Sequence, residues 1–204
     1  MDEVRRSAVR PSQAEAAAES FERARELLER DRGAAAVQAA EQAKALAPRS
    51  GAVREVLGIG LYRAGRYREA LRELQAYRRI TGRLDQNHLI ADSYRAVGAP
   101  EKAVPVARDA VRARISEASR AEAAVVGASA LADLGRYAEA VGLLRSFPVK
   151  SGATHPSDLR LWYVTGDVLQ RAGRPREAAA EFRRIVRHEP GAYDAAERLA
   201  ALGG

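Results

Sequence analysis

The side chains able to do chemistry are few and scattered. The chain has no cysteine, so disulfides, thiol catalysis and thiolate metal sites are excluded together. Its three histidines, His88, His155 and His188, stand far apart in sequence with no partner at ligand spacing. No HExxH helix, phosphate-binding loop or nucleophile elbow occurs. The glycine pair of GIG at 58–60 lies inside a helical pattern, where close packing explains it better than a nucleotide does. Carboxylates such as Glu26 and Glu29 fall on a solvated helix face, whereas acid–base catalysis needs desolvated ones in a cleft. No catalytic residue, metal or cofactor is therefore expected, and the chain does not read as an enzyme. Trp162 and Phe182 could stack on a ligand, but their helical spacing favours a place between helices.

The elements that hold these residues repeat. One phrase recurs as RAGRYREAL at 63–71, AVGAPEKAV at 96–104, DLGRYAEAV at 133–141 and RAGRPREAA at 171–179. Gly65, Gly98, Gly135 and Gly173 each stand where a helix ends in a left-handed cap. A fainter copy at 30–38 carries Asp31 in that slot. The next helix starts within two residues, and Pro100 and Pro175 suit its first turn. Ala70, Ala103, Ala140 and Ala178 follow at the crossing, where a larger side chain would push two helices apart. Upstream, small and apolar residues at helical spacing (Leu57, Gly58 and Leu61; Ile90, Ala91 and Tyr94; Gly127, Ala128 and Leu131; Trp162, Gly166 and Leu169) mark one buried face per copy. Leu71 and Leu74, or Phe182 and Ile185, mark the buried stripe of each second helix. Pro48 and Pro190 follow helices they cannot continue.

With five copies the sequence resembles the tetratricopeptide (TPR) family, and its composition suggests a bacterial member. The last copy carries the likeness most clearly, in Trp162, Gly166, Leu169, Gly173, Ala178, Phe182 and Pro190, and the whole resemblance covers about residues 17–192. It implies an all-α fold, a right-handed α-α superhelix of five helix pairs whose first helices line a concave groove. The expected organisation is an N-terminal extension at 1–11, helical or disordered, and one solenoid domain at 12–204. Its repeats would be about 17–50, 51–83, 84–120, 121–158 and 159–192, with a capping helix at 192–202 turning Leu199 and Leu202 inward. Ser12 with Glu15 reads as a capping box opening the first helix. The crossing alanines step by 34 and 33 residues, then by 37 and 38. The surplus falls in residues 104–124, which can extend two helices, and in a Pro/Gly/Ser loop at 147–158 ending in an N-cap at Ser157. Pro105 should kink its helix.

If the face opposite each first helix's buried stripe lines the groove, the partner-binding candidates are Arg25, Glu55, Tyr62, His88, Asp92, Arg95, Ser129, Tyr163, Asp167 and Gln170, with Phe21, Ile59 and Val125 beside them. Aromatic rings among mixed charges can hold a peptide or helix by stacking and charge-assisted hydrogen bonds. The resemblance also allows a negative inference. Co-chaperone members grip a C-terminal carboxylate with Lys and Asn, whereas Phe21, Arg25, Glu55, Ile59, His88 and Asp92 stand at those places, so a chaperone tail is not an expected partner.

The net charge of +7 invites a nucleic-acid reading. Residues 51–83 hold most of the excess, eight basic against three acidic. Arg63, Arg66, Arg68, Arg72, Arg78 and Arg79 spread there over two helices and a turn with Glu69 and Glu73 interleaved, which makes nucleic acid, or a regulatory role, the second reading. The first is a protein-binding scaffold, monomeric or weakly self-associating. Neither an apolar signal core nor a run of about 18 apolar residues is present, so a soluble, cytoplasmic protein without a membrane segment is expected.

Overall fold

Four glycines and one aspartate set the punctuation of the chain. In the computed structural model, which describes residues 1–147 and 156–203, Gly65, Gly98, Gly135 and Gly173 all have φ between 71° and 80°. Asp31 takes the same left-handed role at φ 54°, so the divergent first copy keeps the turn without the residue that adopts it freely.

Among the described residues the chain is all α-helical apart from one 3-10 turn at Pro11–Gln13, and the fold is a helical repeat of the expected class. It divides into two compact units, Met1–Gly98 and Ala99–Gly204, parted at the turn inside the third repeat. The first unit contains α1 (Asp2–Arg6), α2 (Ala14–Glu29), α3 (Gly33–Leu46), α4 (Gly51–Arg63), α5 (Tyr67–Thr81) and α6 (Asn87–Ala96). Helices α2 and α3 pack as one hairpin and α4 and α5 as the next, with α3 against α4 and α5 against α6. The second unit contains α7 (Pro100–Arg112), α8 (Glu117–Asp133), α9 (Tyr137–Arg145), α10 (Pro156–Arg171), α11 (Pro175–His188) and α12 (Ala195–Ala201). There α8 packs on α7, α9 and α10, and α11 lies between α10 and α12.

Close approach explains the small residues. A Cβ on Gly58 would stand 2.6 Å from Leu74 side-chain atoms, and one on Gly166 would stand 2.8 Å from the Phe182 ring. Ala24 and Ala91 fill the equivalent places with no exposed surface. Leu74, Tyr77, Phe182 and Ile185 supply bulk where the small residues allow contact, and each is at most 1% exposed. Hydrophobic burial by alternating small and large side chains is the main stabilising term for such pairs.

Several local expectations need correction. The capping box does not form: α2 starts at Ala14 behind the 3-10 turn, no side chain caps it, and Glu15 accepts from Arg5 Nε at 2.9 Å instead. The segment at 1–11 is ordered in part as α1, with Val4 fully buried. Glu3 of α1 accepts from Ser50 Oγ at 2.6 Å and from the Gly51 amide at 2.9 Å, placing a carboxylate at the positive end of α4. Ser50 and Ser116 provide side-chain N-caps that the sequence reading does not include. Pro105 lies inside α7, and the extra length between repeats three and four goes into the 17 residues of α8. Most of the expected loop at 147–158, His155 included, lies outside the described residues. Ser157, expected as a cap, lies within α10. The terminal helix is shorter than 192–202, and Leu199 and Leu202 are only half-buried. Among the described residues, no helix is long and apolar enough to cross a membrane.

Candidate functional site

On α4, Glu55 and Tyr62 are seven residues apart and so share a face; on α6, His88, Asp92 and Arg95 do the same at spacings of four and three. The packing of the first unit brings these two faces together. Tyr62 Oη donates to Asp92 Oδ2 at 2.6 Å, and Arg95 donates to Asp92 Oδ1 at 2.8 Å. Gln86 Nε2 donates to Glu55 Oε1 at 2.8 Å. His88 Nδ1 stands 3.0 Å from the Asp85 carbonyl oxygen, and Tyr67 meets the Tyr62 ring edge-on at 5.7 Å. All five candidates are half-buried, so they combine ordered geometry with access from solvent. Arg25, by contrast, is exposed and pairs within its own helix with Glu22 at 3.2 Å.

Tyr77, beneath this face, is fully buried and donates to Asp85 Oδ1 at 2.8 Å. Burial, and then the bond to Asp85, push its phenol above the ordinary tyrosine range. The carboxylates here already accept from hydroxyl, amide or guanidinium donors, and no nucleophile is aligned with a base. Such a surface can recognise and orient polar groups.

Arg25, Asp92 and Asp167 each follow the small crossing residue that stands seven places before the turn residue; in the fourth copy that residue is Ala128, seven before Gly135, and half-buried Ser129 follows it. Ala128 is fully buried, while Ser129 turns its hydroxyl back onto the Val125 carbonyl at 3.0 Å. Phe21 and Val125, 6% and 3% exposed, belong to the core.

Tyr163, Asp167 and Gln170 do converge, on a residue that the sequence does not single out. Arg198 of α12 donates to Asp167 Oδ1 at 2.9 Å, to Gln170 Oε1 at 2.6 Å and to Tyr163 Oη at 3.3 Å. Its guanidinium carbon lies 4.7 Å from the centre of the Phe182 ring. Burial first, and a hydrogen bond to Asp194 second, raise the Tyr163 phenol. The only hint in the sequence is one arginine in an otherwise alanine-rich terminal helix.

Trp162 is 6% exposed, with Arg184 stacked 4.5 Å from its ring centre, as expected for a packing residue. It borders an open cavity of about 170 Å³ with Leu144, Phe147, Leu161 and Thr165, flanked by Arg145, Glu181 and Arg184. The arginine-rich turn is partly neutralised: Arg66 bonds Glu69 at 2.7 Å, Arg72 lies 3.6 Å from the same carboxylate, and Arg63 donates to the Leu28 carbonyl at 2.7 Å. Among the described residues no three His, Asp or Glu side chains gather to hold a metal.

The family model described as Tetratrico peptide repeat matches residues 89–196, just over half of the chain. Solved structures are similar in fold. YrrB, a TPR protein with an unusual peptide-binding site, is 17% identical with a TM-score of 0.62, over 85% of this chain and 87% of that one. A thermophilic TPR protein from Thermus thermophilus is 19% identical with a TM-score of 0.68, over 91% and 98%. A tetratricopeptide repeat protein from Parabacteroides merdae is 18% identical with a TM-score of 0.70, over 92% and 72%. No curated protein matches the chain significantly.

Proposed function

Because the chain belongs to the tetratricopeptide repeat family, we propose that it is a non-catalytic scaffold that takes a peptide or helix of a partner protein on the first helices of its repeats. Within the first unit the binding surface is the α4–α6 face. One observation carries this reading: Tyr62, Asp92 and Arg95 form a half-buried hydrogen-bonded cluster across two helices, next to Glu55 and His88. Its order lowers the entropy lost when a ligand is gripped, and its alternating charge suits a peptide that carries both donors and acceptors. The peptide-binding site named for YrrB is support at the level of fold alone.

A peptide-display selection on the full chain tests the proposal. Selected peptides should bind Asp92→Lys and Arg95→Glu variants about tenfold more weakly, the loss expected for one charge-assisted contact. Unchanged binding by the triple variant Tyr62→Ala, Asp92→Lys, Arg95→Glu would remove the α4–α6 face from consideration. Retardation of nucleic acid at low salt, lost steeply as salt rises, would instead move the reading to the arginine-rich turn.

A further inference from the structure

The second unit holds an arginine in a fitted cradle, and the residue held there belongs to a short terminal helix. All three guanidinium nitrogens of Arg198 are used: Nε and Nη2 reach Gln170, Nη2 reaches Asp167, and Nη1 reaches Tyr163. The guanidinium carbon lies over the Phe182 and Tyr163 rings, 4.7 and 5.5 Å from their centres. A fork of donors over an aromatic face suits arginine and not lysine, whose ammonium is a point charge with no plane to stack. The Arg198 side chain is 19% exposed, against 35% for Asp167.

The rest of α12 contributes little. It has seven residues, too few to be stable as an isolated helix. Only Ala195 is fully buried, Leu199 and Leu202 are half-buried, and Tyr193 enters the helix at φ 56° with half its surface exposed, its ring 4.6 Å from that of Tyr163. A segment with few buried contacts and a left-handed non-glycine residue opens at low cost.

We propose that the face of α10 formed by Tyr163, Asp167 and Gln170, closed by Phe182 of α11, is an arginine-binding site for a partner peptide, and that α12 occupies it in cis until displaced. This rests on the reading of the chain as a binding scaffold, though not on the α4–α6 face. The partner is a peptide that presents an arginine to Asp167 and Gln170 and an apolar stem or ring to Phe182 and Tyr163. Arg198 competes with it intramolecularly, at the high effective concentration of a short tether.

The test uses the full chain and a synthetic peptide copying residues 190–203, with a second peptide carrying alanine in place of its arginine. The full-length Arg198→Ala protein should bind the arginine peptide at least about tenfold more tightly than the wild type does, because its own competitor has lost its anchor. Adding Asp167→Asn to that protein should abolish the gain. Should Arg198→Ala fail to fold, Arg198→Lys keeps the stem and charge but not the fork and gives the same comparison. Equal binding by wild type and variant, or equal binding of the arginine and alanine peptides, overturns the proposal. A loss of selected-peptide binding at Asp92→Lys with no gain at Arg198→Ala would refute the cradle and leave the α4–α6 face standing. The opposite pair of results would refute that face and leave the cradle.

Discussion

Glu73 offers the most direct test of how the first unit is held together. It sits in the middle of α5, and its carboxylate side chain is only 9% exposed. Lys44 Nζ at the end of α3 donates to one oxygen at 2.6 Å, and Arg54 Nη1 of α4 donates to the other. Arg54 also donates to the Pro48 carbonyl from Nε at 3.1 Å and from Nη2 at 2.9 Å. One buried carboxylate thus ties three helices and the connection between two repeats. Replacing it by Gln keeps volume and shape but removes the charge. Breaking a buried pair from one side costs about 3–5 kcal/mol when the orphaned charge stays dry. Here Lys44 is one-third exposed and can return to water, and Arg54, 20% exposed, keeps its carbonyl partner. Both reduce the cost, so Glu73→Gln should destabilise the first unit by about 2 kcal/mol and Glu73→Ala by about 3 kcal/mol. Urea unfolding followed by far-ultraviolet circular dichroism measures this, because the sole tryptophan lies in the second unit. A cycle with Lys44→Met should show coupling of about 1 kcal/mol that survives moderate salt, since a buried pair is weakly screened. A loss below about 0.5 kcal/mol, or strict additivity with Lys44→Met, would refute the bridge as a stabilising link.

Three further outcomes concern single positions. Asp31→Gly should stabilise the chain by about 0.5–1 kcal/mol in thermal or urea unfolding, because glycine adopts φ 54° without strain and Asp31 has only a distant ion pair, 3.9 Å from Arg63, to lose. Gly166→Val should destabilise the second unit by about 1–3 kcal/mol, read from Trp162 fluorescence, because the new Cβ meets the fully buried Phe182 ring at 2.8 Å. Tyr77 makes stability depend on pH at the alkaline end. Its folded pKa is raised, so its contribution is complete below the unfolded value of about 10 and declines as pH rises beyond it. Tyr77→Phe should flatten that decline between about pH 10 and 11, and an equal slope in both proteins would discount the burial of this phenol.

The candidate site was legible where helical periodicity alone places a residue. Glu55 and Tyr62, or Asp92 and Arg95, share a face by spacing, so a correct register finds them. The same rule puts Ser129 at the place of Asp92 and Asp167, but its short side chain turns back onto the Val125 carbonyl of its own helix. Arg198 escapes because the final helix lacks the repeat's phrase, and nothing local marks an arginine whose partners lie 28 to 35 residues earlier. The capping box at Ser12 and Glu15 is a sound local pattern, but Arg5 supplies Glu15 with a better partner.

The sequence by itself determined the repeat: helix pairs, turn positions and small residues at crossings. These depend on backbone sterics and on spacing within about one turn of chain, which recur in every copy. Even the exception at Asp31 was visible as a missing glycine, and the structure shows that residue taking the turn's left-handed conformation. Tertiary structure decided which charges meet. Lys44, Arg54 and Glu73 obey no spacing rule and come together only because α3, α4 and α5 stack. Arg198 finds Asp167, Gln170 and Phe182 only because α12 folds back beside α11. Long flexible side chains reach their partners through space and not along the chain, so their pairing follows from the assembled helices.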